Sequence, residues 1–236
     1  MVTMAWAGET FELHREPAVY WPARRAVIIA DPHFGKAAAF RAGGVPIPGG
    51  TTADNLARLD AVLDRTAANR LIVLGDLLHA KAGCQPGVLD AVAAWRRRRA
   101  SLKIDVIAGN HDRRAGDPPP AWRCTCHADP LAVGPLLMCH EPRASERFHV
   151  LAGHLHPAVR LAGRARQSLR VPCFHFADRL AVLPAFGAFT GCHAVRPRPG
   201  DRVFAVGPAS VVELSAPPSR RDAAPPRSTA ASRVGS

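Results

Sequence analysis
The chain has 236 residues, 47% of them hydrophobic and 21% charged. That composition excludes global disorder, and the length suffices to bury a core without disulfide staples. The 31 Lys and Arg outnumber the 19 Asp and Glu, a net charge of +12 that favours polyanionic partners. No apolar run reaches the roughly 20 residues of a spanning helix.

The N-terminus carries Glu9 and Glu12 and no basic segment, so it does not read as a signal peptide, and the expected location is the cytoplasm. Residues 25–30 (RAVIIA) read as a buried strand ending at Asp31. Residues 51–69 place Leu56, Leu59, Val62 and Leu63 on one helical face, with Thr51 or Thr52 as the cap. A second strand, 71–75, ends at Asp76. A helix at 86–99 starts on Pro86 and finishes in the run Arg96–Arg99, which reads as a solvated helix end. A third strand, 104–109, ends at Asn110. This alternation predicts right-handed crossovers and a mostly parallel sheet.

Beyond Pro118–Pro120 come short apolar runs at 135–139, 148–153, 168–176, 179–187, 202–207 and 210–214, which read as a largely β second half. The expected domain is 1–214. Residues 215–236 hold four Arg and one Asp among Pro, Ala and Ser and read as a disordered tail, which leaves +9 on the body. The six cysteines are expected to be reduced, and Cys124-Thr-Cys126-His127 lacks the second Cys pair of a structural zinc site.

The chemistry-bearing residues fall at strand ends. Asp31-x-His33 follows the first strand, Gly75-Asp76-x-x-His79 the second and Gly109-Asn110-His111-Asp112 the third. In the β half, Cys139-His140 and Gly153-His154-x-His156 do the same, and a period of two points His154 and His156 the same way. Ligand sites in such sheets lie beyond the carboxyl ends of the strands. The convergent set is Asp31, His33, Asp76, Asn110, His140, His154 and His156. Any one of these alone is more often a helix cap or a satisfied core residue. Together their oxygen and imidazole donors suit Mn²⁺, Fe or Zn²⁺, and they are too many for one ion. Two ions about 3.5–4 Å apart, bridged by a carboxylate, form a clamp for displacement at phosphorus.

The order DxH…GDxxH…GNHD…H…GHxH resembles the calcineurin-like metallophosphoesterase superfamily. The resemblance implies a two-sheet sandwich flanked by helices in a four-layer α/β arrangement, with a dinuclear site at one edge. It implies Asp31, His33 and His156 on the first metal, Asn110, His140 and His154 on the second, and Asp76 as the bridge. His111 matches the position that contacts the phosphate and assists the leaving group, with Asp112 orienting it. A narrower resemblance spans about residues 6–214, through DPHFGKAAAFRAGGVPIPGG, LGDLLHAK, GHLHPAVR, VPCF and LPAFGAFTG. It is to the ligase-associated DNA damage response endonucleases, with Pro32 and Phe34 where Leu is expected on either side of the His. That family implies a Mn²⁺-dependent phosphodiesterase or DNA endonuclease, acting on single-stranded or damaged DNA and linked to a ligase and a helicase.

The chemistry can be argued without the family. Two cations neutralise the phosphodiester charge and activate water. Asn110 ligates without adding negative charge, and His111 can donate to the oxygens where charge develops. Lys36, His79 and Arg160 are candidate substrate contacts, and Arg164, Arg166 and Arg170 could continue a DNA groove. His14, His127, His149, His175 and His193 read as structural. Phe174, Phe176, Phe186 and Phe189 read as core, and residues 183–187 as a bend beside the site. Two alternatives stay open: a phosphodiesterase or phosphatase for nucleotides or small molecules, and a non-catalytic scaffold for repair partners.

Overall fold
The computed structural model describes residues 1–162 and 167–214. The expected disordered tail, and Arg164 and Arg166, lie outside the described residues. The chain opens with an antiparallel meander, β1 (Val2–Trp6), β2 (Glu9–His14) and β3 (Ala18–Trp21), which continues into β4 (Ala26–Ile29). There follow α1 (Lys36–Ala42), α2 (Thr51–Thr66), β5 (Arg70–Leu74), α3 (Pro86–Arg98), β6 (Lys103–Ile107), α4 (Asn110–Ala115) and β7 (Thr125–His127). Strands β4 to β7 are parallel, as the alternation predicted, and complete a seven-stranded sheet.

The second half is β, as expected: β8 (Leu131–Val133), β9 (Leu136–Cys139), β10 (His149–Ala152), β11 (Pro157–Ala162), β12 (Ser168–Phe176), β13 (Leu180–Val182), β14 (His193–Ala194), β15 (Arg202–Val206) and β16 (Val211–Leu214). These form a mixed nine-stranded sheet.

The two sheets pack face to face. Ala26 and Ile28 of β4, and Ile72 and Leu74 of β5, point into the inter-sheet core with Phe11, Trp21, Met138, Leu151, Phe174 and Phe204. The alternate residues, Val27, Ile29, Leu71 and Val73, face α2 and α3 through Leu56, Leu59, Val62, Leu63, Val92 and Trp95. A strand buried on both faces reads as an unbroken apolar run, which is why β4 and β5 were legible. Among the described residues, all four α-helices come from the first half, and the two sheets form the sandwich expected. No described helix is long and apolar enough to cross a membrane.

Three local expectations change. Helix α2 is capped by Gly50 without a side-chain hydrogen bond. Thr52 instead accepts the Gly35 amide through its hydroxyl at 3.4 Å, tying the start of α2 to the loop before α1. The arginine run is not simply solvated. Arg96 is buried and donates to the carbonyls of Trp122 (2.9 Å), Leu102 (2.7 Å) and Arg99, satisfying the frayed end of α3. Arg99 bonds Asp60 and Asp64 of α2, and Arg97 and Arg98 are exposed. Among the phenylalanines, Phe189 is 56% exposed, whereas Phe174, Phe176 and Phe186 are core.

The five histidines read as structural join no metal-binding group among the described residues. His127 and His175 bond Asp105 and Asp201, and His149 meets Trp6 edge-on. Burial pushes the Cys124 thiol up to about 12.

A polar anchor fastens the meander to α2. Glu16 is buried and receives both guanidinium nitrogens of Arg65, at 2.8 and 2.9 Å, beside the buried His14. That fork holds the Glu16 carboxyl at about 2. The pair therefore stabilises the fold fully above the ordinary glutamate range and loses its effect as pH falls from about 4.5 to about 2. With the Arg65 side chain 41% exposed, the contribution is on the order of 2 kcal/mol. Glu16→Gln should lower urea-unfolding stability by about that amount at pH 7, and the gap to wild type should close as the pH approaches 2. A gap that is constant with pH would refute the ion-pair account.

Candidate metal centre
The loops at the strand ends are zipped together by their backbones. Asp31 N donates to Gly75 O, His33 N to Asp76 O, Phe34 N to Leu77 O and His79 N to Phe34 O. The loop after β4 and the loop after β5 thus run side by side. The loops after β9 and β10 are joined by Gly153 N to His140 O, and Asp31 Oδ2 accepts the His154 amide at 2.9 Å. Residues 183–187 do bend beside the site: Phe186 N and Gly187 N donate to the carbonyls of Ala30 and Asp31.

Five of the seven expected ligands have left-handed backbones: Asp31 (φ 51°), His33 (47°), Asp76 (52°), His154 (68°) and His156 (46°). Only six other non-glycine residues among those described share that conformation, so backbone strain concentrates here. His154 and His156 follow a strand end, as expected, but the expectation that a period of two points them the same way is corrected by the same fact. β10 stops at Ala152, and both rings reach the site from a bend. A flat period of two cannot turn two neighbours around one centre, whereas left-handed residues can.

The expected ligands gather in two groups, and His33 also belongs to a third with His79 and His111. Asp31, His33 and His156 form one, and Asp76, His140 and His154 the other, each with its ligand atoms within 4.8 Å of one another. Asp76 Oδ2 faces both groups, 3.9 Å from His33 Nε2 and 3.5 Å from His140 Nε2. Its other oxygen is held by the His111 amide at 2.9 Å. Asn110 Oδ1 stands 2.9 Å from His140 Nε2.

Second partners set the imidazoles. His140 Nδ1 donates to Leu74 O (3.0 Å) and His156 Nδ1 to Gly191 O (3.0 Å), which leaves each Nε2 lone pair directed into the site. His140 Nε2 then faces the Asn110 oxygen and the His154 Nδ1, 3.0 Å away. Asp31 Oδ1, His33 Nδ1 and His156 Nε2 are buried without a hydrogen-bond partner. A cluster of buried acceptors and lone pairs without donors fits cations.

Electrostatics agree. Burial holds the His33 imidazole at about 2, helped by Lys36 and the surrounding histidines, so the ring is neutral and available as a donor. Burial pushes the Asp76 carboxyl up, opposed by His140 and aided by the Asp31 charge. For His156, burial disfavours the charged ring, but the Asp31 carboxylate outweighs it and the net direction is upward. Burial lowers Lys36, against the pull of Asp31 and Asp76.

His111 and His79 lie beside the first group. Their rings stack at 4.9 Å, and His111 Nδ1 donates to the His79 carbonyl at 2.7 Å. Burial and then Lys36 hold His79 at about 4. Asp112 does not orient the His111 ring. Its oxygens accept the amides of Leu78 (2.9 Å) and Gly109 (3.0 Å), bracing two loops. Residues i and i+1 of a helix point about 100° apart, and both lie in α4. Lys36 opens α1 at the site edge. Arg160 is exposed on β11, opposite Arg170 of β12, and makes none of the side-chain bonds that knit the site.

Asn55 escaped the sequence reading. It is buried on α2, and its amide bonds Pro32 O (3.3 Å) and receives the Ala188 amide (3.1 Å), supporting the loop that carries His33 and the loop whose Gly191 carbonyl holds His156. Its signal was present: a polar residue in helical register with Leu59 and Val62. The Gly191 carbonyl left no trace in the sequence.

Among solved structures, the chain is similar to the Pseudomonas putida nuclease MPE. The two are 39% identical with a TM-score of 0.80, over 90% of this chain and 99% of that one. The Escherichia coli phosphoesterase Yfce is 13% identical over 79% of this chain and 90% of that one, with a TM-score of 0.36, and no argument rests on it. No family model and no curated protein matches the chain.

Proposed function
Because the chain belongs to the calcineurin-like metallophosphoesterases, and so to the hydrolases of phosphoester bonds, we propose that it is a dinuclear metal-dependent phosphodiesterase that cuts DNA. One observation carries this reading: a single carboxylate, Asp76, presents one oxygen to two separate groups of donors. The proposed holders are Asp31, His33 and His156 for one ion, Asn110, His140 and His154 for the other, and Asp76 for both. Bound there, two divalent ions neutralise the diester charge and make water a nucleophile near neutral pH. Mn²⁺ suits the mixed oxygen and imidazole set.

The chain's own groups do the rest. Asn110 contributes an oxygen without a further negative charge facing the phosphate. When protonated, His111 keeps its Nδ1 bond to the His79 carbonyl and offers Nε2–H to the leaving oxygen. Lys36, half-buried at the start of α1, adds a positive charge for a non-bridging phosphate oxygen, and His79 holds the His111 ring in place through its stacked face. The net charge of +12 favours capture of a polyanion, and the likeness to a nuclease supports a nucleic acid as that polyanion. A cytoplasmic repair role, with a ligase and a helicase as functional associates, extends the same proposal.

The test is a substrate panel: single-stranded DNA, bis-p-nitrophenyl phosphate and p-nitrophenyl phosphate, each with Mn²⁺ and with EDTA. Cleavage of DNA and the diester, abolished by EDTA, is the expected result. Cleavage of the monoester alone would sink the nuclease reading.

A further inference from the structure
Two exposed aromatic rings stand at the mouth of the metal centre. Phe40 lies on α1, four residues after Lys36, and is 36% exposed; Phe189 is 56% exposed. Their centroids are 6.0 Å apart and their planes meet at 88°, so together they form a right-angled corner. The corner is continuous with the site. Phe40 stacks on His79 (5.9 Å, 16°), His79 stacks on His111 (4.9 Å, 20°), and His111 meets His33 edge-on at 5.0 Å.

The corner is also built into the site's supports. The loop that carries Phe189 supplies the Gly191 carbonyl to His156 and the Ala188 amide to Asn55. Phe189 itself is held with a left-handed backbone, φ 66°, which an aromatic residue rarely adopts. Neither ring is part of the core, and a large exposed aromatic pair beside a charged site marks a contact surface.

We infer that the Phe40–Phe189 corner is a nucleobase subsite, which stacks a base next to the scissile phosphate. This rests on the phosphodiesterase reading above and adds how that site selects its diester. A planar base fits a right-angled corner with its face on one ring and its edge against the other. Stacking is indifferent to base identity, because every base offers a π-face. It requires a base with a free face, which a nucleotide inside a duplex does not have. A diester without a base gains nothing from the corner.

The test crosses two proteins with two substrates. Wild type and Phe189→Leu are compared on a hexathymidylate strand and on a hexamer of abasic tetrahydrofuran phosphodiesters, with Mn²⁺. The expected result is a loss in kcat/KM on hexathymidylate about 10-fold or more greater than the loss on the abasic strand. Phe40→Leu should show the same selective loss. Equal losses on the two strands would overturn the subsite, since a variant that merely misfolds or disturbs the metals loses both alike. If wild type hydrolyses neither strand, the phosphodiesterase reading has failed. The same four-way comparison is then read from calorimetric Kd on the uncut strands, where selective weakening on hexathymidylate supports the corner and equal weakening refutes it.

Discussion

Asp76→Asn is expected to lower kcat/KM on single-stranded DNA by about 10³-fold or more, and yet to raise the melting temperature of the protein in EDTA. The two effects come from the same oxygen. Asp76 Oδ2 faces both donor groups, so its loss weakens the hold on both ions, where loss of His33 or His154 would weaken one. Without metal, the carboxylate is a buried charge beside the equally buried Asp31, and burial already pushes its carboxyl up. The asparagine keeps an oxygen for the His111 amide and turns an NH₂ toward the lone pairs of His33 and His140. It removes a desolvated charge from beside Asp31.

A gain of about 1 kcal/mol corresponds to roughly 2–4 °C in a chain of this size. In Mn²⁺ the order should reverse, because wild type gains stability from ions bound only in the folded state and the variant gains less. Calorimetric melting with and without Mn²⁺, alongside metal content, checks both signs. A variant within tenfold of wild-type activity would remove Asp76 from the centre of the mechanism. A variant that melts lower in EDTA would refute the buried-charge account.

The parts of the site that were legible in the sequence share a physical cause. β4 and β5 are buried on both faces, so each reads as an apolar run whose end is marked by the first polar residue, Asp31 or Asp76, whereas β6 carries a half-buried Asp105 among Ile104, Val106 and Ile107 and is ended by Gly109-Asn110. Strands β1 to β3 gave no such signal and were not anticipated. β1 and β2 alternate buried with partly exposed residues rather than forming an apolar run, and the three strands take their order from pairing onto β4. His154 and His156 were identified by their place past a strand end, which holds, but the period of two misjudged their direction, since their approach depends on backbone angles that no side-chain period encodes. Asp112 was assigned an orienting role from the family resemblance, and helix geometry sends its side chain away from that of His111. The aromatic corner joins residues 40 and 189, far apart in the chain, and each ring alone reads as core or surface. Local pattern finds ligands; it does not find what stands across from them.

Gly109→Ala should cost activity about 10²-fold or more although the substitution adds one methyl group and removes no ligand. Gly109 sits at φ −87°, a conformation alanine adopts freely, so backbone strain is not the reason. The reason is proximity. A Cβ at this position would lie 2.1 Å from Asp76 Oδ1 and 2.4 Å from the Asp76 backbone nitrogen. The carboxylate could rotate away, at the expense of its bond to the His111 amide. The backbone nitrogen cannot move without dragging the left-handed turn at Asp76, which is stitched to His33 through the Asp76 carbonyl. Either adjustment shifts the one oxygen that faces both donor groups. Overpacking of this kind also destabilises, by about 1–3 kcal/mol. Gly87 is the control. It lies in α3, and a Cβ there meets nothing within 4 Å, so Gly87→Ala should stabilise the protein by about 0.4–1 kcal/mol with DNA cleavage intact. Denaturant unfolding and cleavage assays on the two variants separate the cases. Equal behaviour of Gly109→Ala and Gly87→Ala would mean that Asp76 does not need the space beneath it, and that the centre tolerates a displaced bridge.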